Sequence, residues 1–291
     1  MKVTVIGPGA MGCLFAARLA RGGARVHLVD HRADRASRLD RSGITVETAE
    51  ETFVERPSVT THIPSGQDFI LVLTKAYSTA VLSFPPDAPI LTLQNGLGNV
   101  EALCSMVGSA RVMAGATTEA ATLLAEGRTR HAAAGRTAFG AWTSCPTEDA
   151  AETLRQAGFN IEVTDSPGQL IWEKVAVNSG INPLTALLNV PNGQLLEQKD
   201  VRELMRDLVV EAAKVASTEG YRFARSLVEM AEDTCRQTAD NISSMLQDVR
   251  AGRKTEIEAI TGEILRRAQL ASLPTPRTRV VYQLLRGLEN R

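Results

Sequence analysis

One stretch in the second half of the chain carries an amine and two amides at helical spacing. Lys174, Asn178 and Asn182 lie at positions i, i+4 and i+8, so they share one helix face, within an arc of about 80°. Apolar neighbours surround them, and buried polar groups need partners that a polar ligand can supply. Burial also lowers the pKa of a lysine, which suits proton transfer. From spacing alone, a solvated polar stripe on an amphipathic helix remains the simpler interpretation.

A second polar cluster follows near the end of the chain. Ser244 and Asp248 lie one turn apart in a predicted helix. Thr255 as N-cap and Glu258 three residues later fit a capping box, which predicts that Glu256 lies in the first helical turn. A carboxylate is favoured there by the helix dipole. Taken alone, Glu256 is therefore best interpreted as an ordinary first-turn residue.

A glycine turn near the start of the chain predicts a dinucleotide site. It fits G-x-G-x-x-G, follows a predicted strand and opens a predicted helix. In such turns the first glycine permits the tight bend, the second lets the pyrophosphate approach, and the third lets the helix pack on the strand. The free N–H groups of the helix then face the phosphates. The alternative is a glycine turn that binds nothing. The candidate cofactor-binding residues of the turn are Gly7, Pro8, Gly9, Ala10, Met11 and Gly12.

The residues after the second strand give opposing indications about the cofactor. Asp30 is placed to accept hydrogen bonds from the adenosine ribose, which favours NAD and disfavours the 2′-phosphate of NADP. Arg32 and Arg35 follow at once, and a guanidinium there can hold that phosphate. Alternatively, both arginines belong to a solvated helix face. The sequence leaves NADP and NAD open.

Two further candidates follow predicted strands of the same sheet. Lys75 comes after one apolar strand and Asn95 after the next. Ligands bind beyond the carboxyl ends of parallel strands, so we expect both to line the cofactor crevice. A surface lysine and an Asn-Gly turn are the alternatives.

The elements that must position these residues indicate an α/β fold with two domains. Short apolar strands alternate with helical stretches up to residue 166, which predicts a Rossmann-type, doubly wound parallel sheet. Strands are expected at 3–6, 25–29, 69–73, 90–93, 111–113 and 161–163, with an edge hairpin formed by 129–133 and 137–142 around Gly135. The domains are therefore predicted as 1–166 for the dinucleotide and 167–291, all-helical, for the substrate. Its helices are expected at 170–188, 193–219, 226–252, 256–271 and 277–288.

Composition excludes several classes of function. The net charge of -1 indicates no nucleic-acid partner, and no apolar run is long enough to span a membrane. The four cysteines are far apart and without zinc-ligand spacing, so no metal site is expected. A cytoplasmic location, as a monomer or homodimer, is the expectation.

Several segments together resemble the ketopantoate reductase family. The Lys174 and Glu256 segments are the most specific of them. The resemblance runs from residue 7 to residue 278 through GPGAMG, TKAYST, LQNGLGN, GATTEAAT, AGRTAFG, WEKVAVNSGINPLTALLNVPNG, NISSMLQDVRAGRKTEIEAITG and LPTPRT.

The resemblance implies NADPH-dependent reduction of ketopantoate and a role for each candidate. Lys174 would be the general acid, and Glu256 would bond the substrate hydroxyl and border the cofactor. Ser244 and the two amides, Asn178 and Asn182, would hold the ketoacid. Asn95 would contact both substrate and cofactor, and Lys75 the cofactor.

Three departures from the family pattern stand out, and two other functions remain open. Asp30-His31-Arg32 lies where the family often carries a basic residue at the end of the second strand, which leaves the choice of cofactor open. Glu119 replaces a neutral or histidine side chain, and Thr261 replaces an asparagine, which leaves a related 2-ketoacid open as the substrate. A β-hydroxyacid dehydrogenase shares the glycine turn and helical half but lacks the Ser244 and Glu256 segments. A nucleotide-sensing protein without turnover is the alternative of another class.

Overall fold

The computed structural model describes residues 1–289, which form two compact units. Unit 1 comprises residues 1–94 and 99–170, and unit 2 comprises residues 95–98 and the chain from Ile171 onward. The division thus falls at Leu170 rather than at residue 166, and the last two residues of the predicted second domain lie outside the described residues. The sequence pattern does not predict that residues 95–98 belong to unit 2.

The Rossmann-type sheet of unit 1 is confirmed. Its eight strands have the order β12-β11-β8-β7-β6-β1-β2-β5 and are parallel from β5 to β8, while β11 runs antiparallel to β8. The chain continues from β1 to β2 on one side and returns to β6 on the other, which makes the β1–β6 boundary a switch point. These strands are β1 (Lys2–Ile6), β2 (Arg25–Val29), β5 (Ser58–Thr60), β6 (Phe69–Val72), β7 (Ile90–Thr92), β8 (Val112–Thr117), β11 (Arg136–Ala141) and β12 (Asn160–Val163).

Four helices belong to unit 1, and the first is the most deeply buried. Its side chains Leu14, Phe15 and Leu19 are fully buried, and the Phe15 ring stacks on Phe159 with the ring centroids 4.1 Å apart. The helix that opens at the glycine turn is therefore fixed by the core of unit 1. The four are α1 (Ala10–Arg21), α2 (Ala33–Ser42), α3 (Asn99–Val107) and α4 (Glu148–Gln156).

The predicted edge hairpin is wrong, because its two strands belong to different sheets. The run 137–142 pairs with β8, whereas 129–133 belongs to a second sheet of order β4-β3-β10-β9. Gly135 is no hairpin turn: a Cβ there would lie 2.3 Å from the carbonyl carbon of Thr118. The second sheet comprises β3 (Ile44–Glu47), β4 (Thr52–Glu55), β9 (Ala120–Ala125) and β10 (Arg128–Ala133).

Unit 2 is helical throughout its described residues, but two of the long predicted helices are divided. The prediction of 193–219 covers a 3-10 turn (Asn192–Leu196) and a helix from Lys199. The prediction of 226–252 is interrupted because Ser243 accepts the Leu246 N–H and starts a new helix. The helices are α5 (Pro167–Leu188, which begins at the end of unit 1), α6 (Lys199–Thr218), α7 (Leu227–Gln237), α8 (Ser244–Arg250), a π-helical turn (Glu258–Gly262), α9 (Glu263–Leu270) and α10 (Pro276–Glu289).

The predicted capping box is only half present. The Thr255 hydroxyl accepts the Ile257 N–H at 3.2 Å, but the Thr255 N–H is taken by Glu289, not by Glu258. Glu258 instead accepts the Tyr282 hydroxyl at 2.8 Å. Helical residues begin at Ile257, so Glu256 lies just before the first turn rather than inside it.

A buried carboxylate on α6 caps the last helix. Glu211 accepts the Arg277 N–H at 3.0 Å, the Thr278 N–H at 2.8 Å and the Thr278 hydroxyl at 2.6 Å. These N–H groups lie in the first turn of α10, where a helix has no internal acceptors for them.

We predict that Glu211→Ala lowers the free energy of unfolding by about 2 kcal/mol or more, because buried donors lose their acceptor. Urea unfolding followed by circular dichroism measures the change. Glu203→Ala, on the exposed face of the same helix, is the matched control and should change it by less than about 0.5 kcal/mol. Equal unfolding free energies for the two variants would contradict this role.

Candidate functional site

The glycine turn in unit 1 has the geometry that the spacing predicts. The reason why position 12 requires glycine differs from the predicted one. Gly7 has φ +100°, and a Cβ there would lie 2.8 Å from the Thr74 side chain. A Cβ on Gly12 would lie 1.8 Å from the Gly7 carbonyl oxygen but 3.9 Å from the strand residue Val5. Closure of the turn, rather than helix–strand packing, therefore requires glycine at position 12.

The turn also fits the pyrophosphate of a dinucleotide. A Cβ on Gly9 would meet no protein atom within 4 Å, so the space beside this residue is open to a ligand. Gly9 is the N-cap of α1, and neither a side-chain cap nor an acidic residue occupies the first turn. The first N–H groups of a helix have no internal partner and attract anions. Pro8, Ala10 and Met11 lie in this turn and the first helical turn as predicted.

Asp30 lies at the end of β2 but is engaged by the protein itself. Its carboxylate is fully buried, and Arg35 binds it with two donors, Nη2 at 2.7 Å and Nε. It also accepts the backbone N–H of Arg32 at 3.1 Å. The hydrogen bond that Arg35 donates to Asp30 raises the pKa of Arg35. Exposed Arg32 donates to Asp34 at 3.0 Å.

The loops after β6 and β7 are joined by a buried amide that the sequence did not indicate. Gln94 donates to the Thr74 carbonyl at 2.9 Å and to the Thr79 hydroxyl at 2.9 Å. Lys75, next to Thr74, is the N-cap of a short 3-10 turn. Because β6 pairs with β1, Lys75 and the glycine turn follow adjacent strands at one edge of the sheet, as predicted.

In unit 2, helix α5 carries the amine and both amides. Lys174 and Asn178 are partly buried, and Asn182 is buried. The solvated polar stripe is therefore wrong for this face. Pro183 lies inside the same helix and removes one backbone hydrogen bond directly after Asn182.

A buried carboxylate acts on the Lys174 amine. Burial lowers the pKa of Lys174 to about 8, and the negative charge of Glu256 opposes this shift. Glu256 is 6% exposed and accepts a hydrogen bond from the Asn95 amide at 3.4 Å. The structure thus brings together Lys174, Glu256 and Asn95, which lie far apart in the sequence.

Backbone contacts on both sides fix Glu256. The Glu289 carboxylate accepts the Thr255 N–H at 2.8 Å, and the Thr255 hydroxyl accepts the Ile257 N–H. These contacts restrain the chain immediately before and after Glu256. Glu289 lies beyond every motif identified in the sequence, and only its contact with Thr255 shows that it supports Glu256.

The π-helical turn receives the segment that carries Asn95. The Leu97 N–H donates to the Ala259 carbonyl at 2.7 Å, and a Cβ on Gly96 would lie 2.6 Å from Ala259. Gly96, with φ +89°, therefore permits the close approach that places Asn95 beside Glu256. π-helical turns are frequent at functional sites.

Ser244 is the first residue of α8 and is exposed. Its neighbour Ser243 is buried and hydrogen-bonded to Thr185 at 2.7 Å. Thr185 lies one turn after Asn182, so the start of α8 is attached to the second half of α5.

Glu119 and Thr261, which depart from the family pattern, are both buried. Glu119 bonds the His131 ring at 2.6 Å, and among residues 1–289 the Thr261 hydroxyl has no hydrogen-bond partner. Within residues 1–289, no group of His, Cys, Asp and Glu side chains is arranged to hold a metal ion. Over the same range, no helix combines the length and apolarity needed to cross a bilayer.

Solved structures share this fold over the whole chain. The PanE/ApbA family ketopantoate reductase from Ralstonia eutropha JMP134 is 27% identical, with a TM-score of 0.91 over 100% of this chain and 99% of that one. A ternary structure of D-mandelate dehydrogenase with NADH and anilino(oxo)acetate has a TM-score of 0.93 over 100% of this chain and 99% of that one, at 24% identity. The second likeness shows the fold alone.

Sequence comparisons identify the family. Models of the N-terminal and C-terminal parts of ketopantoate reductase PanE/ApbA match residues 3–144 and 168–289. The 2-dehydropantoate 2-reductase of Halobacterium salinarum is 36% identical over 98% of this chain and 98% of its own. The chain therefore belongs to the ketopantoate reductase PanE/ApbA family.

Proposed function

We propose that this protein is an oxidoreductase that reduces 2-dehydropantoate to pantoate with NADPH. The observation that carries the proposal is Lys174, a partly buried amine with a pKa of about 8 beside the buried carboxylate of Glu256. Family membership and a relative of that activity at 36% identity support the substrate. We further propose that the protein acts in the cytoplasm, in pantothenate biosynthesis, as a monomer or homodimer.

Lys174 supplies the proton of this reaction. Reduction of a ketone adds a hydride to carbon and a proton to oxygen, and the nicotinamide, when bound, supplies the hydride. The Lys174 ammonium donates its proton to the oxygen as negative charge develops there. A pKa of about 8 keeps the amine largely protonated at neutral pH and still able to release the proton.

The remaining polar groups of unit 2 bind and orient the ketoacid. Asn178, Asn182 and Ser244 are proposed to hold the substrate, including its carboxylate. Glu256 is proposed to accept a hydrogen bond from the substrate hydroxyl. Asn95 donates to the Glu256 carboxylate and keeps it in place. Orienting the ketone in this way lowers the entropic part of the barrier.

The cofactor is proposed to be NADPH, bound by residues of unit 1. The glycine turn and the N–H groups of α1 would hold the pyrophosphate, and Lys75 would border the cofactor at the same edge of the sheet. Asp30 has its charge compensated by Arg35 and its oxygens occupied, so it neither repels a 2′-phosphate as a free carboxylate does nor offers the ribose a free acceptor. The exposed guanidinium of Arg32 is available to exchange Asp34 for the phosphate.

We predict that Lys174→Ala lowers kcat for ketopantoate about a hundredfold or more, because the general acid is lost. The dissociation constant of NADPH should stay within about twofold, since Lys174 is not among the residues proposed to bind the cofactor. Stopped-flow NADPH oxidation and fluorescence titration measure the two quantities, with Lys214→Ala on α6 as the control. Unchanged turnover would exclude Lys174 as the acid, and NADPH binding without oxidation by any ketoacid in the unsubstituted protein would favour a sensor.

We predict that kcat/KM for reduction is constant below about pH 8 and falls about tenfold per pH unit above it. Lys174 must be protonated to donate, and its protonated fraction falls above its pKa of about 8. Since the Glu256 charge raises that pKa, Glu256→Gln should move the alkaline limb to lower pH, in addition to lowering the rate. A pH profile of both proteins measures the limb, and a limb that stays in place in the variant would contradict the coupling.

We predict that Arg32→Ala lowers kcat/KM for NADPH about tenfold or more and changes the value for NADH less than about twofold. The variant removes a charge-assisted hydrogen bond to the 2′-phosphate, which NADPH carries and NADH lacks. Steady-state kinetics with both cofactors measure the ratio. Arg41→Ala, an exposed arginine in the last turn of α2, is the control. A parallel loss with NADPH and NADH would refute phosphate binding by Arg32.

A further inference from the structure

A buried pair of hydroxyls connects two of the proposed substrate-binding residues. Thr185 on α5 is fully buried, and Ser243, the N-cap of α8, is 7% exposed. Their oxygens lie 2.7 Å apart. On one side of the pair the Thr185 hydroxyl lies 3.0 Å from the Asn182 carbonyl, and on the other the Leu246 N–H lies 3.1 Å from Ser243.

The protons in this series of hydrogen bonds can be ordered in only one direction. A carbonyl oxygen can only accept, so the Thr185 proton points at Asn182. Ser243 must then donate its own proton to Thr185, and its oxygen accepts the Leu246 N–H. Every group in the chain is satisfied, and no other proton order satisfies all of them.

The helix at Asn182, where this series of hydrogen bonds ends, needs the additional restraint. Asn182 precedes Pro183, and a residue before proline is sterically disfavoured in the helical conformation. The proline also removes the helix hydrogen bond to the Ser179 carbonyl, one turn earlier. The bond from Thr185 to the Asn182 carbonyl adds a restraint on the residue directly before this proline.

At the other end, the chain fixes the start of α8. Ser243 holds the first turn of this helix through the Leu246 N–H, and Ser244 is the next residue. The hydroxyl pair therefore links the Asn182 backbone to the first turn of α8, in which Ser244 lies. Asn192 and Gly193 independently hold the preceding loop through the Asn241 and Ala239 carbonyls, so the pair acts on α8 rather than on the loop.

We infer that Thr185 and Ser243 are positioning residues that hold Asn182 and Ser244 at the spacing required to bind the carboxylate of the ketoacid. The inference rests on the proposed function, because it assigns the carboxylate to those two residues. Neither hydroxyl touches the reacting atoms in this mechanism. Their effect is on substrate affinity, transmitted through Asn182 and Ser244.

The test replaces Thr185 with a residue of the same shape. Thr185→Val removes the hydroxyl, whereas Thr185→Ser retains it. We expect Thr185→Val to raise KM for ketopantoate about tenfold, which corresponds to about 1.4 kcal/mol, with kcat changed less than about threefold. Loss of binding that is equal in the ground and transition states has this signature. KM for NADPH should not change, and Thr185→Ser should restore KM for ketopantoate to within about twofold.

Ser179→Ala is the matched control. Ser179 is buried on the same helix and donates to the Ala176 carbonyl at 2.7 Å, a contact within α5 alone. Its loss should leave KM for ketopantoate unchanged. A similar rise in Ser179→Ala would assign the effect to general softening of α5 and overturn the inference.

Hydrogen exchange of the first turn of α8 separates this inference from the proposed function. Faster exchange in Thr185→Val together with a raised KM supports positioning. Faster exchange with unchanged KM overturns the positioning role while the proposed function stands. An unsubstituted enzyme that does not reduce ketopantoate overturns the proposed function, and with it the catalytic meaning of the hydroxyl pair.

Discussion

The chemistry of unit 2 depends on the balance between burial and charge at Lys174. Burial favours the neutral amine and the adjacent Glu256 carboxylate favours the ammonium, and the two effects leave a pKa of about 8. Without the carboxylate the amine would lose its proton more readily, and without burial it would release the proton too reluctantly. Three contacts in unit 2 restrain this carboxylate: Glu289 and Thr255 hold the adjacent backbone, and Asn95 donates to its side chain.

The cost of burying a charge also accounts for the partner of Asp30. A carboxylate at the end of the second strand is expected to receive the ribose, provided that its oxygens face the ligand. Here the carboxylate is fully buried, and an unpaired buried charge is costly. Arg35 compensates it from the first turn of α2, whereas the exposed Arg32 pairs with Asp34. Asp30 is thus the counter-ion of an arginine.

Local patterns predicted what depends on local geometry. The glycine turn, the parallel strands and the common face of Lys174 and Asn182 follow from spacing and are all found in the structure. The second sheet did not follow, because β9 consists of alanine, leucine and threonine, and its pairing with β10 makes it a strand. The predicted hairpin at Gly135 is wrong for a related reason. A glycine can permit the close approach of a distant backbone segment instead of forming a turn.

The residues proposed to contact the substrate and those that support them differ in how well a sequence predicts them. Lys174, Asn178 and Asn182 are polar at positions where an amphipathic pattern expects apolar residues, so they stand out. Thr185 and Ser243 do not, because a threonine within a helix and a serine before one are ordinary choices. Their function arises from a 2.7 Å contact across 58 residues of chain, and only the fold creates it. A buried hydroxyl that bonds a partner on another helix therefore cannot be predicted from the sequence of this site. Pro183, next to Asn182, explains why such support is needed there.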